Sequence, residues 1–430
     1  VSATSPRRAA ADVLVAVLDE RRTLERALAS SPRFNALEGR DRGFARAILG
    51  ATLRRLGGLD AVLALYIARP LPEAARLARA LLRTAAAQLL VLGTPAHAAV
   101  SETVELARSD KASRPFAKLA NAVLRRVAED GPARFGALPP GSDLPDWLFA
   151  RWRKSYRGRA DAIALALRAE PPLDLSVKQD PQHWAETLGG GVLPTGTVRL
   201  PPGAHAVETL PGYADGAWWV QDAAAALPAR LLGDVTGRRV LDLCAAPGGK
   251  TLQLAAAGAH VTAVDKAPHR LKRLEENLAR TGLAAEIVAT DALEYATETP
   301  FDAVLLDAPC TATGTLRRRP DVAWSKIKAD VAALAALQTK LIVAAARLVK
   351  PGGSIVYCVC SLEPEEGEKA AAAAVAAGAP LVRDAILAEE VEGLPPDALT
   401  EDGALRTLPC FWAEQGGMDG FYAARFRKRD

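Results

Sequence analysis

Cysteine is scarce in this chain of 430 residues: Cys244, Cys310, Cys358, Cys360 and Cys410 make an odd five, with no paired C-x-x-C spacing. A disulfide framework or a zinc site is therefore not expected. Methionine is scarcer still, Met418 alone, and the chain opens on Val1, so processing of the extreme N-terminus is expected; nothing below rests on it. The alanine-rich runs are broken by charges, leaving no window of about 18 strongly apolar residues, and no signal-peptide pattern opens the chain. Half of the residues are hydrophobic, enough for two or three cored domains. The expectation is a cytoplasmic, monomeric globular protein with no membrane partner and no metal.

Charge is present in a lopsided form. Residues 1–160 hold 27 Lys and Arg against 15 Asp and Glu, whereas the remainder holds 27 against 35. A basic half of +12 facing an acidic half of −8 fits nucleic-acid binding by the first half, and fits equally arginines that only solvate helix faces. The spacing there predicts helices throughout. Leu59, Val62, Leu63 and Tyr66 share one face, as do Phe44, Ala47, Ile48 and Ala51, and Phe116, Leu119, Ala120, Val123, Leu124 and Val127 form a full stripe flanked by Arg114, Lys118, Arg125 and Arg126. Gly131–Pro145, rich in Pro and Gly and without period, reads as a linker. Beyond it Trp147, Trp152 and Tyr156 interleave with Arg151, Arg153, Lys154, Arg157 and Arg159. On a helix that pattern could stack on RNA, or bury the tryptophans and solvate the cations. Short strands are predicted at 173–177, 197–200 and 217–220, and a helix capped by Asp222.

From Gly237 the pattern changes to alternating strands and helices, which predicts a doubly wound α/β domain. Val240, Leu241 and Leu243 form its first buried strand, Pro247-Gly248-Gly249 turns the chain, and a helix begins at Lys250. Acids fall at successive strand ends: Asp242, where a cationic group could sit, then Asp265, Asp291 and Asp307. Ligands of such sheets lie beyond those ends, with an acid on the second strand suited to ribose hydroxyls. The turn C-A-A-P-G-G-K lacks the G-x-G-x-x-G of a dinucleotide site, and S-adenosylmethionine, with ammonium and sulfonium centres to meet the carboxylates, is the alternative.

The segments LDLCAAPGGKT, AVDKAPHRLKRL, ATDA, DAPCTATGTLRRRPD and VYCVCSLEPEEGE together resemble the Nop/Sun family of RNA cytosine-5 methyltransferases. RDRGFARAILG, PAHAAVSETVELA and NAVLRR resemble the NusB-like RNA-binding module. The resemblance implies a multidomain protein: an all-α NusB-like domain (1–131), a linker (132–145), a small α+β bridging domain (146–236) and a class I, Rossmann-like α/β methyltransferase domain (237–430). It implies methylation of carbon 5 of a cytosine in 16S ribosomal RNA with S-adenosylmethionine as cofactor. The cofactor falls on Cys244, Ala245, Ala246, Pro247, Gly248, Gly249 and Lys250, with Asp265, Arg270, Asp291 and Asp307. Transfer RNA or another RNA, or an assembly factor without turnover, are the alternatives.

The chemistry requires a thiol. Carbon 5 of cytosine is a poor nucleophile until a thiolate adds to carbon 6. Cys310 and Cys360 both follow strands; Cys244 and Cys358 read as packing residues. The resemblance makes Cys360 the nucleophile and Cys310 the aid to product release, with Asp307 on the ring nitrogen 3 edge and Lys250 holding the site. Lys250 could also help lower the thiol pKa. Departures from the family pattern are Val359 in place of Thr, Thr311-Ala312 in place of Ser-Gly, and Ser176-Val177-Lys178 where R-V-N is usual. Arg317, Arg318 and Arg319 beside the Cys310 loop are expected phosphate contacts.

Overall fold

Residues 5–203 and 206–430 are described by the structure, a computed structural model; residues 1–4 of the expected helical domain, and Ala204 and His205 of the bridging domain, lie outside them. The chain divides into two compact units, Val1–Arg168 with Leu316–Ile327, and Ala169–Thr315 with Lys328–Asp430.

The first unit is helical, as the spacing predicts. Ser5 caps helix Pro6–Leu18 by accepting the Arg8 N–H, and Pro6 occupies its first turn. The stripe on helix Ala117–Glu129 buries Ala120, Val123, Leu124 and Val127 against Leu59, Val62 and Leu82. Each such Leu or Val contributes about 1.5–3 kcal/mol of burial, while Lys118, Arg125 and Arg126 stay exposed. The Pro/Gly stretch is no linker: Gly131–Gly136 is helical, Pro140–Asp143 is a 3-10 turn, and Phe135 joins the same core. Its anchor is Asp143, 2% exposed, which accepts from Arg168 Nε at 2.6 Å and lies 2.8 Å from Arg55 Nε. A buried ion cluster, invisible to periodicity, folds it. Helix Asp146–Ser155 therefore belongs to this unit too, with Leu148 and Trp152 fully buried and Arg153 and Lys154 exposed. Trp152 is core, so it cannot stack on RNA.

Residues 316–327 were expected within the methyltransferase domain but pack in the helical unit. Trp324 packs on the core of Leu14, Ile48 and Leu81 and donates its indole N–H to the Leu53 carbonyl at 3.0 Å. Asp321 accepts the Leu24 N–H, and Arg54 donates to the Arg317 carbonyl. Arg317 is 1% exposed, which removes it from the expected phosphate contacts; Arg319 remains exposed.

The second unit holds two sheets. Strands β1 (Leu173–Val177), β2 (Gly191–Val192), β3 (Val198–Leu200) and β4 (Trp218–Val220) form an antiparallel sheet in the order β2-β3-β1-β4, within a residue of expectation where strands were predicted. It is pinned by a buried two-pronged pair, Arg199 Nε and Nη2 each 2.7 Å from the Asp174 carboxylate. The larger sheet contains β5 (Arg239–Leu243), β6 (His260–Asp265), β7 (Glu286–Ala289), β8 (Phe301–Asp307), β9 (Val349–Val359), β10 (Leu381–Arg383), β11 (Leu405–Arg406) and β12 (Tyr422–Lys428). Its order is β10-β12-β9-β8-β5-β6-β7, with β11 on β12; β5 to β9 pair in parallel and β12 runs antiparallel to β9. The chain winds from β5 outward through β6 and β7, then crosses to β8 on the other side. That reversal opens a crevice at the carboxyl ends of β5 and β8.

Helix Lys328–Leu348, 21 residues with hydropathy 1.6, is by length and composition alone able to span a membrane, contrary to the expectation that no such apolar window exists. Its Leu341, Ile342, Ala345 and Ala346 instead cover Val304, Leu306, Ile355 and Tyr357 of the sheet.

Candidate active site

Every element bordering the crevice delivers side chains at a strand end. After β5 the backbone turns through Cys244 and Gly248 at φ 63° and 108° before helix Gly249–Ala256 begins. At Gly248 a Cβ would meet Leu274 Cδ1 at 2.3 Å, so only glycine fits. Gly248 N–H closes the turn on the Ala245 carbonyl at 2.9 Å. The carboxylate of Asp265 lies against this turn, accepting Ala246 N–H at 3.2 Å and Ala267 N–H at 2.9 Å. Arg270 sits 3.4 Å from Asp265 and donates to the Ala246 carbonyl. The Asn277 amide donates to the Pro247 carbonyl at 3.4 Å. Asp291, after β7, accepts Leu293 N–H at 3.0 Å and pairs with Lys266 at 3.2 Å; that backbone bond, opposed by partial burial, holds its carboxyl below the usual range.

Asp242 departs from expectation. It is fully buried beneath the turn, accepts the Thr251 hydroxyl at 2.6 Å, and has one oxygen without a partner among the described residues. Burial, opposed by the Thr251 bond and aided by Asp307 and Asp265, pushes its carboxyl up to about 7. The unfolded chain ionises this group near pH 4, so between about 4 and 7 the folded state holds the extra proton and stability falls as pH rises through that window. Asp242→Asn is expected to remove that slope, on the order of 1.4 kcal/mol per pH unit. Urea midpoints at pH 4.5 and 8 measure it; equal pH dependence in variant and wild type would contradict this account.

At the end of β8, Asp307 Oδ2 accepts Lys250 Nζ at 2.7 Å, and its Oδ1 lies 3.6 Å from the Cys358 thiol. Lys250, 7% exposed, also faces the Phe421 ring at 5.1 Å. Burial disfavours its charge, but Asp307 and the Cys358 and Cys360 sulfurs together more than offset this, so the ammonium is raised above its ordinary value. Pairing of β8 with β9 then brings two thiols fifty residues apart into contact, Cys310 Sγ to Cys360 Sγ at 3.4 Å. The bond to Cys360, then burial, raise the Cys310 thiol well above its ordinary value. In that contact either sulfur can be the donor.

Two more cysteines border the site, and both are raised. Cys358 is fully buried and raised by burial and then Asp307; Cys244 is pushed up to about 12 by burial and the surrounding carboxylates. Val359 is fully buried, where threonine would bring a hydroxyl needing a partner. Ala312 stands at φ 60°, a conformation the family's glycine adopts freely and alanine only at a cost of about 1–2 kcal/mol. Lys178 donates to the Thr281 carbonyl and Ser176 is buried. Among the described residues no cluster of His, Cys, Asp and Glu could hold a metal ion.

Sequence reasoning passed over Glu366. It is fully buried behind the two cysteine loops, accepting Thr311 N–H at 2.8 Å, the Ser361 hydroxyl at 2.5 Å, Gln338 Nε2 at 3.2 Å and the Thr311 hydroxyl. Burial raises its carboxyl against the pull of these donors. Only its place five residues after the loop serine Ser361 marked it, and no residue pattern distinguishes that from a surface glutamate.

Known proteins resemble both units. Residues 229–427 match the family described as 16S rRNA methyltransferase RsmB/F, and residues 4–129 match the NusB family. Ribosomal RNA small subunit methyltransferase B of Pseudomonas syringae pv. tomato is 38% identical over 99% of this chain and 97% of its own. The Pseudomonas putida protein of the same name is 35% identical over 99% and 98%. The methyltransferase homolog protein from Pyrococcus horikoshii superposes with TM-score 0.56 at 27% identity, over 66% of this chain and 95% of that one. The crystal structure of PH0851 superposes with TM-score 0.77 over 98% and 99%; at 22% identity that likeness concerns the fold alone.

Proposed function

Since the chain belongs to the RsmB/F family of ribosomal RNA small subunit methyltransferases and is an RNA methyltransferase, we propose that it methylates carbon 5 of a cytosine in 16S ribosomal RNA, in the cytoplasm, through a covalent bond from Cys360 to carbon 6. The observation that carries this reading is the 3.4 Å contact between Cys310 and Cys360 beside the buried Lys250–Asp307 pair. A methyl-transfer site without a covalent step has no use for two thiols in contact at strand ends.

The residues of the crevice suit S-adenosylmethionine. The Gly248 turn admits no Cβ, and the acids Asp265, Asp291 and Asp307 stand at three successive rims. Asp265, with Arg270 bracing the turn, would hold ribose hydroxyls. Asp291 would lie along the adenine edge, and the Cys244–Gly249 backbone would line the amino-acid end. When bound, the cofactor supplies an electrophilic methyl group next to the two thiols.

The Cys360 thiolate, held by the Cys310 thiol and facing the Lys250 ammonium, adds to carbon 6 of a cytosine lifted out of its stack. Asp307 meets the nitrogen 3 edge of the base and favours its protonated form, so that as the sulfur–carbon 6 bond forms the electron pair of the carbon 5–carbon 6 double bond is displaced toward the ring and carbon 5 becomes nucleophilic. After methylation a base takes the carbon 5 proton, the freed bond pair re-forms the carbon 5–carbon 6 double bond and expels the Cys360 sulfur, and the Cys310 thiol is at hand to protonate that sulfur. The basic helical unit, with Lys118, Arg125 and Arg126 exposed, would grip phosphates.

The test is incorporation of label from methyl-labelled S-adenosylmethionine into unmethylated 16S ribosomal RNA, followed by nucleoside analysis. Label is expected in 5-methylcytidine. Label in a ribose or in another base would contradict the carbon-5 assignment, and labelling of transfer RNA with none of 16S would move the substrate.

A further inference from the structure

Two loops must be held in register for the thiol pair to exist, and both cysteines lie beyond the last β8–β9 pair, Asp307 and Cys358. Gly314 N–H on the Cys360 carbonyl and Leu362 N–H on the Thr313 hydroxyl, each at 3.0 Å, join the loops beyond the cysteines. The residue following each cysteine binds one buried group. Thr311, after Cys310, gives its N–H and hydroxyl to Glu366, and Ser361, after Cys360, gives its hydroxyl to the same carboxylate. Gln338, on the helix beneath, donates from one nitrogen both to Glu366 and to the Pro309 carbonyl at 2.8 Å. The Tyr357 hydroxyl fixes the Glu366 carbonyl. A carboxylate is an acceptor at about four lone-pair sites and a donor at none, which matches four donors converging on it; an amide of the same shape would turn an N–H toward another donor.

We propose that Glu366 is the positioning residue of this active site: its carboxylate clamps the Cys310 and Cys360 loops together through Thr311 and Ser361, and so sets the contact between the sulfurs. This rests on the covalent-cysteine reading above but adds a residue to it. Glu366 touches neither sulfur and acts only through the loops. Sub-ångström register matters here because displacing a reacting group by about 1 Å costs on the order of 10²-fold in rate.

The experiment uses the full-length protein and the variants Glu366→Gln, Thr311→Val and Thr311→Ser. With saturating S-adenosylmethionine and 16S ribosomal RNA, Glu366→Gln is expected to slow single-turnover methyl transfer about 10²-fold, leaving the apparent affinity for RNA within about threefold of wild type. Thr311→Val slows it about tenfold, Thr311→Ser restores it, and Glu366→Gln with Thr311→Val is no slower than Glu366→Gln alone. A wild-type rate in Glu366→Gln, or a Thr311→Ser protein as slow as Thr311→Val, overturns the proposal. Should Glu366→Gln fail to fold, the Thr311 pair decides. A second readout needs no RNA: phenylarsine oxide bridges two thiols only when they are adjacent, and wild type should take it up on Cys310 and Cys360 about tenfold faster than Thr311→Val. Equal uptake overturns the clamp; absence of methyl transfer by every protein, with uneven uptake, refutes the covalent reading and leaves the clamp standing.

Discussion

Mixed with S-adenosylmethionine and unmodified 16S ribosomal RNA, the Cys310→Ala protein is expected to accumulate an RNA–protein adduct that survives a denaturing gel, and the Cys360→Ala protein to form none. The two sulfurs are 3.4 Å apart, but their environments differ. Cys310 is raised by its bond to Cys360 and by burial. On the proposed assignment the attack comes from Cys360, and removing it should cut methyl transfer by more than about 10⁴-fold, the scale seen when a covalent nucleophile is lost. Removing Cys310 leaves attack and methyl transfer possible but takes away the proton nearest the leaving sulfur, so the adduct persists. The reverse pattern would make Cys310 the nucleophile, as in the P-C-Q cysteine of DNA cytosine methyltransferases. No adduct and no methylation by wild type on any RNA would favour an assembly factor without turnover.

Asp307→Asn is expected to have the next largest effect, a loss of about 10²–10⁴-fold in methyl transfer, the range associated with a positioned acid or base. The substitution keeps the shape but removes the charge that meets Lys250 Nζ at 2.7 Å and that would favour a protonated nitrogen 3. It also leaves a buried ammonium without its counter-ion, which costs on the order of 3–5 kcal/mol when the geometry cannot relax. Lys250→Met with Asp307→Asn should then be more stable than Asp307→Asn alone, since no uncompensated charge is left. Denaturant midpoints of the three proteins measure this, and a double variant less stable than both singles would contradict it. The activity loss should not be rescued by the second change, because the nitrogen 3 contact stays absent.

The α/β order was legible because each piece is local. Val240, Leu241 and Leu243 read as a buried strand, and Pro247-Gly248-Gly249 read as its turn, before any neighbour was known; His260–Asp265 was bounded to the residue. The last strands, β10 and β12, were not read: β12 is YAARFRK, whose short alternation carries little signal until β9 is beside it. The division between units was misjudged at Gly131–Pro145 and at 316–327. Asp143 among arginines and Trp324 among distant helices form their contacts only in the folded chain.

By itself the sequence determined the residue types available for chemistry: two cysteines following strands, a lysine after the glycine turn, an acid at each rim. These are properties of local period and turn composition, set within a dozen residues. Tertiary structure alone decided what each is for. It buried Asp242 under the turn, sank Arg317 into the helical unit, joined Cys310 to Cys360 across adjacent parallel strands, and aimed Glu366 at the residues behind them. Burial and charge pairing depend on which distant segments come to lie side by side, and those set the surroundings of every group that acts.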